Sequence, residues 1–379
     1  MSSFHAYPRT TGFTLVEIMV GMVIGMLGII IMMQVFSQAE GTKRATTSGG
    51  DTTSTGAIAI YGLQRDIRAA GYGASDAKIL GCDLQLRAGV TMNVLAPVTI
   101  NHGSIPAGDA NTDTLLVVYG NVNGSPQGDG ISSQGATARY TMQTPTAFAA
   151  SDRVIAIAKV RPAPCSLILD SVASIGTPSA QDVNVTTGVA SISGGYVFNM
   201  GQSPKVIAYA VRGGNLTMCK WVDIDLSSAP PHTDNGKDCT SAGLVSDATV
   251  WVPIANNVVS MRAQYAKDSN APMDGLIDTF DQTALASACA VAKVQAIRLA
   301  LVVRAANLER TTVTASAPTW EGTSTTTLTG APTNPTSVPI NLTSTTVPAG
   351  YSWQNYRYRV FQTIVPIRNV SWLGAQTGC

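Results

Sequence analysis

Charge is scarce in this chain: Asp, Glu, Lys and Arg make up 12% of the 379 residues, against the ~25% of an ordinary globular protein. Thr, Ser, Gly and Ala fill the gap, so the surface is polar but weakly charged. With 24 basic and 23 acidic residues the formal net charge is +1, and composition makes no case for nucleic acid as the main partner. Histidine is scarcer still: only His5, His102 and His232 occur, none in a nucleophile or metal motif. A Ser-His-Asp triad or a histidine-based zinc site is therefore not supported. No Cys-x-x-Cys spacing exists, which removes the zinc-ribbon, thioredoxin-like and haem-attachment readings. Gly71-Tyr72-Gly73 lacks a preceding strand, and Gly124 to Gly130 lacks the Gly-Lys-Ser/Thr ending of a phosphate loop. These absences predict a non-enzymatic chain without a cofactor.

One long hydrophobic run is present. Phe13 to Phe36 is 24 residues long and contains a single ionisable side chain, Glu17. About 20 apolar residues at 1.5 Å rise cross a bilayer, whereas the apolar core of a cleaved secretory signal is only ~7–15 residues. A carboxylate near the centre of such a helix costs roughly 2.5–3.5 kcal/mol, less toward an end, so Glu17 calls for a cation. Loop charge does not set the orientation, since Arg9 precedes the run while Lys43 and Arg44 follow it.

Gly12-Phe13-Thr14-Leu15-Val16-Glu17 resembles the type IV prepilin motif, a short polar leader ending in Gly, a cut before Phe, and Glu four residues later. The resemblance implies cleavage by a prepilin peptidase between Gly12 and Phe13, with N-methylation of Phe13 and loss of a leader, residues 1–12. The new amine would lie one helical turn from Glu17, because i and i+4 share a face. In assembled pilins that acid pairs with the amino terminus of a neighbouring subunit, so Glu17 is the expected assembly residue.

Residues 37–73 read as an amphipathic continuation of the helix, with Ile60, Leu63 and Ile67 on one face and Arg65, Asp66 and Arg68 on the other. Gly41 and the Ser48-Gly49-Gly50-Asp51 stretch predict a kink or melted turn near Gly49, at ~1 kcal/mol per glycine. Gly71 and Gly73 end the helix. Residues 74–379 then shift to short β-like runs. The strongest are Thr114 to Tyr119, Arg153 to Val160, Val206 to Val211, Val258 to Tyr265, Val294 to Val303 and Tyr356 to Ile367. Alternation in the fifth suits a strand covered on one face and partly on the other. A long helix followed by many strands predicts an α+β fold with a mainly antiparallel sheet. Residues 120–137 and 311–350 read as exposed insertions, the second rich in Thr, Pro and Ser.

All six cysteines follow the apolar run, an even number that favours disulfides in an oxidising compartment. Cys219 and Cys239, the nearest pair, would close a loop of about twenty residues, stabilising by ~3 kcal/mol. Asp268, Asn270 and Asp274 offer oxygen ligands in a partial calcium-loop pattern, but Pro272 and Met273 interrupt it and no Glu stands twelfth. A hairpin turn using Asp and Asn for local backbone bonds is the simpler reading.

Three further segments resemble PilW-type minor pilins: Leu63 to Gly73, Val258 to Asp281 with the following Arg298 to Arg304 strand, and Tyr358 to Asn369. The resemblance implies a structural subunit that helps prime type IV pilus assembly and sits at or near the filament tip. Its partners would be other minor pilins, the major pilin, the prepilin peptidase, the inner-membrane assembly platform and, before assembly, membrane lipid. It implies a single-pass inner-membrane protein with its C-terminal region in the periplasm, later carried to the cell surface. A type II secretion pseudopilin shares the amino-terminal motif, and a tip adhesin would use residues 311–350 or the Gly-rich stretch as a binding surface.

Overall fold

The computed structural model describes residues 12–121, 124–177, 181–229, 232–322, 337–371 and 379. They fall into two units, the first ending at Asp51 and the second running from Thr52 to Cys379. Helix α1 spans Leu15–Ala69, 55 residues. The break expected near Gly49 does not occur, and Gly41, Gly49 and Gly50 all lie inside α1. The polar neighbours satisfy the helix instead of opening it. Thr42 Oγ1 donates to the Gln38 carbonyl at 3.0 Å and Thr46 Oγ1 to the Thr42 carbonyl at 2.9 Å. Arg44 Nε reaches Glu40 at 3.2 Å, an i,i+4 pair of the stabilising spacing.

In the second unit, Ala59, Leu63 and Ile67 of α1, with Ala70 just after it, are buried in one core with strands of two sheets. The expected apolar face is there, but Asp66 is not on the opposite one. It is 3% exposed, three residues beyond Leu63 and beside Ile67, so it points at the sheet. Tyr209 donates to its Oδ2 in a short hydrogen bond, Tyr119 to its Oδ1 at 3.3 Å, and the exposed Arg65 to Oδ1 at 2.9 Å. Burial, with the Asp66 charge added, pushes the Tyr119 hydroxyl up to about 12 and moves Tyr209 further in the same direction.

The helix ends as expected. Gly71 has φ +78° and donates to the Val118 carbonyl at 2.8 Å. A Cβ at Gly73 would sit 2.8 Å from the Asn199 carbonyl oxygen, so glycine is required there. The last carbonyls of α1 are capped from far along the chain, by Asn369 Nδ2 on Ala69 O at 3.1 Å and on Ala70 O at 2.9 Å.

The sheet nearest the helix end is five-stranded. Numbering strands as they are introduced, it contains β1 (Val98–Ile100), β2 (Leu115–Tyr119), β3 (Lys205–Arg212), β4 (Asn215–Val222) and β5 (Val252–Ala255), in the order β5-β4-β3-β2-β1, all antiparallel. A second sheet contains β6 (Val258–Lys267), β7 (Thr279–Asp281), β8 (Val294–Arg304) and β11 (Tyr358–Pro366), in the order β7-β6-β8-β11. Between β8 and β11 lies the small hairpin of β9 (Thr319–Glu321) and β10 (Ser337–Pro339). Buried Asp113 ties the two sheets: its Oδ2 accepts from Ala263 N at 2.9 Å and lies 3.4 Å from Arg262 Nε.

Strand β8 is covered on both faces, more fully than its alternation suggested. Ile297, Leu299 and Leu301 face the α1 core, while Ala300 and Val302 pack under Trp320, Ile340 and Leu342. The cover comes from Trp320, Ile340 and Leu342 of the Thr/Pro-rich stretch, whose other described residues are mostly exposed. Residues 323–336 of that stretch lie outside the described residues.

A further eight-stranded sheet links Val90–Met92, Asp83–Arg87, Ser166–Ile175, Arg153–Ile157, Tyr196–Gly201, Asp129–Ala136, Arg139–Met142 and Asp182–Val185 in that order. Ser166–Ile175 also pairs with Asp182–Val185, which closes six of these strands into a ring around Tyr140, Val154, Val172 and Val197. Asp129–Ala136 falls in the stretch expected to be loop. Its polar residues find specific partners there: Gln134 donates to Val189 O at 2.6 Å and accepts from Ile192 N at 3.0 Å. Three disulfides join Cys82 to Cys165, Cys219 to Cys239 and Cys289 to Cys379. With separations of 83, 20 and 90 residues, they restrict the unfolded chain by ~3 to ~5 kcal/mol each in the loop-entropy account.

Replacing Asp66 by Ala leaves two tyrosine hydroxyls without their acceptor and should destabilise the fold by about 2–3 kcal/mol in urea unfolding at neutral pH. Asn369→Ala should cost about 1–2 kcal/mol by uncapping α1. Because the folded-state tyrosine values are raised, their stabilising contribution is complete below the unfolded value of ~10 and is lost as pH rises toward about 12. Urea midpoints should therefore fall above pH ~10, and Tyr119→Phe should flatten that fall.

Candidate functional site

Gly12, Phe13 and Thr14 precede α1 in non-helical conformation, and apart from its chain neighbours no described residue lies within 4 Å of where a Gly12 Cβ would stand. Phe13 is 85% exposed. From Leu15 to Phe36 the large apolar side chains are uncovered all round the helix, as suits a segment whose surroundings are lipid or other helices. The Gly12–Phe13 bond thus stands free at the mouth of a membrane-length helix.

Glu17 occupies the third helical position after Thr14, and the two form a reciprocal cap. Thr14 N donates to Glu17 Oε2 at 2.9 Å and Thr14 Oγ1 donates to the same oxygen at 3.0 Å. Glu17 N in turn donates to Thr14 Oγ1 at 3.3 Å. This Thr-x-x-Glu capping box uses the carboxylate to satisfy a helix-end N–H that lipid would leave bare. The positive end of the helix dipole favours the charge in the same place. Both bonds fall on Oε2. Oε1 has no partner among the described residues and is open to a cation. Sequence reasoning identified Glu17 by its isolation and missed Thr14, although the Thr14-x-x-Glu17 spacing carries the information.

The other candidate residues are placed as follows. Cys219 and Cys239 are joined, tying β4 to the segment that leads toward β5. Asp268, 0% exposed, accepts from Gly275 N at 2.6 Å and Asn270 N at 3.2 Å. Asn270 Nδ2 donates to Asp274 Oδ2 at 3.0 Å, and Leu276 N to Asp274 Oδ1 at 2.9 Å. These oxygens are spent inside the β6–β7 turn. Among the described residues no cluster of three or more His, Cys, Asp and Glu is arranged to hold a metal. His102 lies edge-on to Trp221, with Nε2 on Asn93 O at 2.7 Å and Nδ1 accepting from Ser104 N at 3.2 Å; burial lowers its pKa. His232 Nδ1 sits 2.9 Å from Ser228 O. Both imidazoles serve loops.

Comparison with known proteins gives two family matches. Residues 8–33 match the prokaryotic N-terminal methylation motif, and residues 239–369 match the type IV pilus-assembly protein W family. The second match runs from Cys239 through all four strands of the β7-β6-β8-β11 sheet to Asn369, the residue that caps α1. Among solved structures, a type IV-like pilin from Thermus thermophilus matches with 13% identity and a TM-score of 0.29, covering 85% of this chain and 96% of that one. A search of the curated proteins gives no match. The amino-terminal half of α1 is thus similar to the methylation motif, and the region that receives the end of α1 is similar to the type IV pilus-assembly protein W family.

Proposed function

We propose that this chain is a minor pilin: a non-enzymatic subunit that helps prime type IV pilus assembly and ends at or near the filament tip. The observation that carries the reading is the uncovered apolar half of α1 with its one acid, capped by Thr14 directly behind the exposed Gly12–Phe13 bond. Residues 1–12 are the leader, removed by a prepilin peptidase, and Phe13 is the residue whose new amine is methylated. Residues 13–36 hold the subunit in the inner membrane, with the part beyond residue 74 in the periplasm. Three disulfides support an oxidising compartment for that part.

Assembly is then an exchange of surroundings for one helix, from lipid to the helices of other minor pilins and the major pilin, driven by the inner-membrane platform. Glu17 Oε1, left open by the Thr14 cap, receives the Phe13 amine of a neighbouring subunit. The pair replaces the aqueous partners that each charge would otherwise need in an apolar core.

Three outcomes test this. Glu17→Ala should still be exported and cleaved, while its recovery in sheared pili drops; normal incorporation of the variant counts against the assembly role. Gly12→Val should leave an intact leader, seen by mass spectrometry as a chain longer by the twelve residues before Phe13. Deletion of the gene should remove surface pili in electron micrographs, and a loss confined to exoprotein secretion would instead indicate a pseudopilin.

A further inference from the structure

Arg298 is the one arginine that is more than nine-tenths buried among the described residues, at 6% exposure. It stands in the middle of β8, opposite Gln264 on β6 and Ile364 on β11. Its guanidinium carbon lies 3.5 Å from the ring centroid of Phe280, which lies over Ala266 and Ala296. No hydrogen bond or ion pair from Arg298 to any described residue exists, and its Nε is sealed from solvent without a partner. The other arginines with sealed Nε atoms, Arg153, Arg212 and Arg304, each donate to a backbone carbonyl.

The chain itself has no acid for this site. All 23 Asp and Glu residues lie among the described residues, and none is within ion-pair distance of Arg298. Glu321 is nearest in effect, an exposed rim residue that offsets part of the cost of burying the cation. Only Nε is sealed; Nη1 and Nη2 are not, so the unpaired cation faces a cavity that a ligand can enter.

The surroundings define what that is. Arg298 lines a 260 Å³ cavity together with Glu321, Gln362, Thr363 and Ile364, so the cavity opens along β11, the outermost strand of its sheet. Ala305 N donates to Arg357 O and Ile367 N to Gln295 O, which sets the alternation along β11. The N–H and C=O groups of Val360, Gln362 and Ile364 therefore face the open edge, and they take no backbone partner among the described residues. Gln362 Oε1 accepts from Glu321 N at 3.1 Å, which leaves its amide N–H groups as donors at the cavity. Ile364, 47% exposed, supplies an apolar wall.

We infer that the β11 edge with the Arg298 cavity is a docking site for an extended peptide segment of a partner protein, which adds as a fifth strand and places an Asp or Glu carboxylate on Arg298. Main-chain bonds to β11 give affinity, and the single buried cation selects the acid. The Glu321 rim disfavours phosphate and other polyanions, whose second charge would meet it. The inference is independent of the pilus reading.

The test uses the full chain in detergent micelles. The probe is the blocked peptide acetyl-Thr-Val-Glu-Val-Thr-Ile-amide, its Gln-for-Glu twin is the control, and sodium acetate is a third arm. Titration is followed by calorimetry and by hydrogen exchange of β11 amides. The Glu peptide should bind at least ~10-fold more tightly than the Gln twin, and Arg298→Met should abolish that difference. The amides of Val360, Gln362 and Ile364 should gain protection only with peptide. Arg298→Lys, which keeps the charge but not the fork, guards against a folding defect and should retain part of the preference. Equal binding of the two peptides, or an undiminished Glu preference in Arg298→Met, overturns the proposal. Acetate binding that matches the peptide, with no protection of β11, overturns strand addition and points to a small free carboxylate.

Discussion

Everything in the second unit hangs on how the end of α1 is seated, and the seat is the buried Asp66 carboxylate. Leu63 and Ile67 on either side contribute roughly 2 kcal/mol each by burial, but greasy contact alone lets a helix slide or rotate by a fraction of a turn. A carboxylate that accepts from Tyr209 on β3 and Tyr119 on β2 has one position and one rotation. Close approach refines the fit at Gly56, where the ring of Phe361 occupies the space a Cβ would need. The helix is thereby indexed to both sheets, through Tyr119 and Tyr209 to one and through Phe361 to the other, with Asn369 just past the end of β11.

Much of this architecture was visible in the residues. The six strongest strand candidates all lie on observed strands, because each is rich in Val, Ile and Leu and bounded by turn residues. What was hidden has physical causes. Gly49 does not break α1 because single-residue propensities of ~1 kcal/mol are local, while the helix is held by long stretches on either side. Asp66 reads as a surface residue until its two tyrosine partners, 53 and 143 positions away, are brought to it. The closed ring of strands is similarly opaque: Asp129–Ala136 has no apolar alternation and owes its place to long-range pairing and to the amide of Gln134.

The amino-terminal site was legible in a different way. Gly12, Phe13 and Glu17 stand at fixed spacing within a span of six residues, so a linear motif carries them. Thr14 is written in the same stretch as half of a capping box, and its role follows from the requirement that helix-end N–H groups be satisfied. Arg298 is the opposite case. Nothing about its neighbours in sequence separates it from any β-strand arginine, and its isolation emerges only when three strands and a hairpin have been assembled around it with no acid within ion-pair distance.

The cap on Ala69 and Ala70 has a mechanical meaning. Asn369 belongs to a segment whose last residue, Cys379, is covalently bound to Cys289 beside the start of β8. Tension applied along α1 leaves the helix at Asp66 into β2 and β3 of the five-stranded sheet, and at its C-terminal carbonyls into Asn369, whose neighbour Ile367 bonds to Gln295 at the start of β8. Strand β8 lies between β6 and β11 and is paired with both along nearly its whole length. The end of the chain thus acts as a strain relief for its beginning.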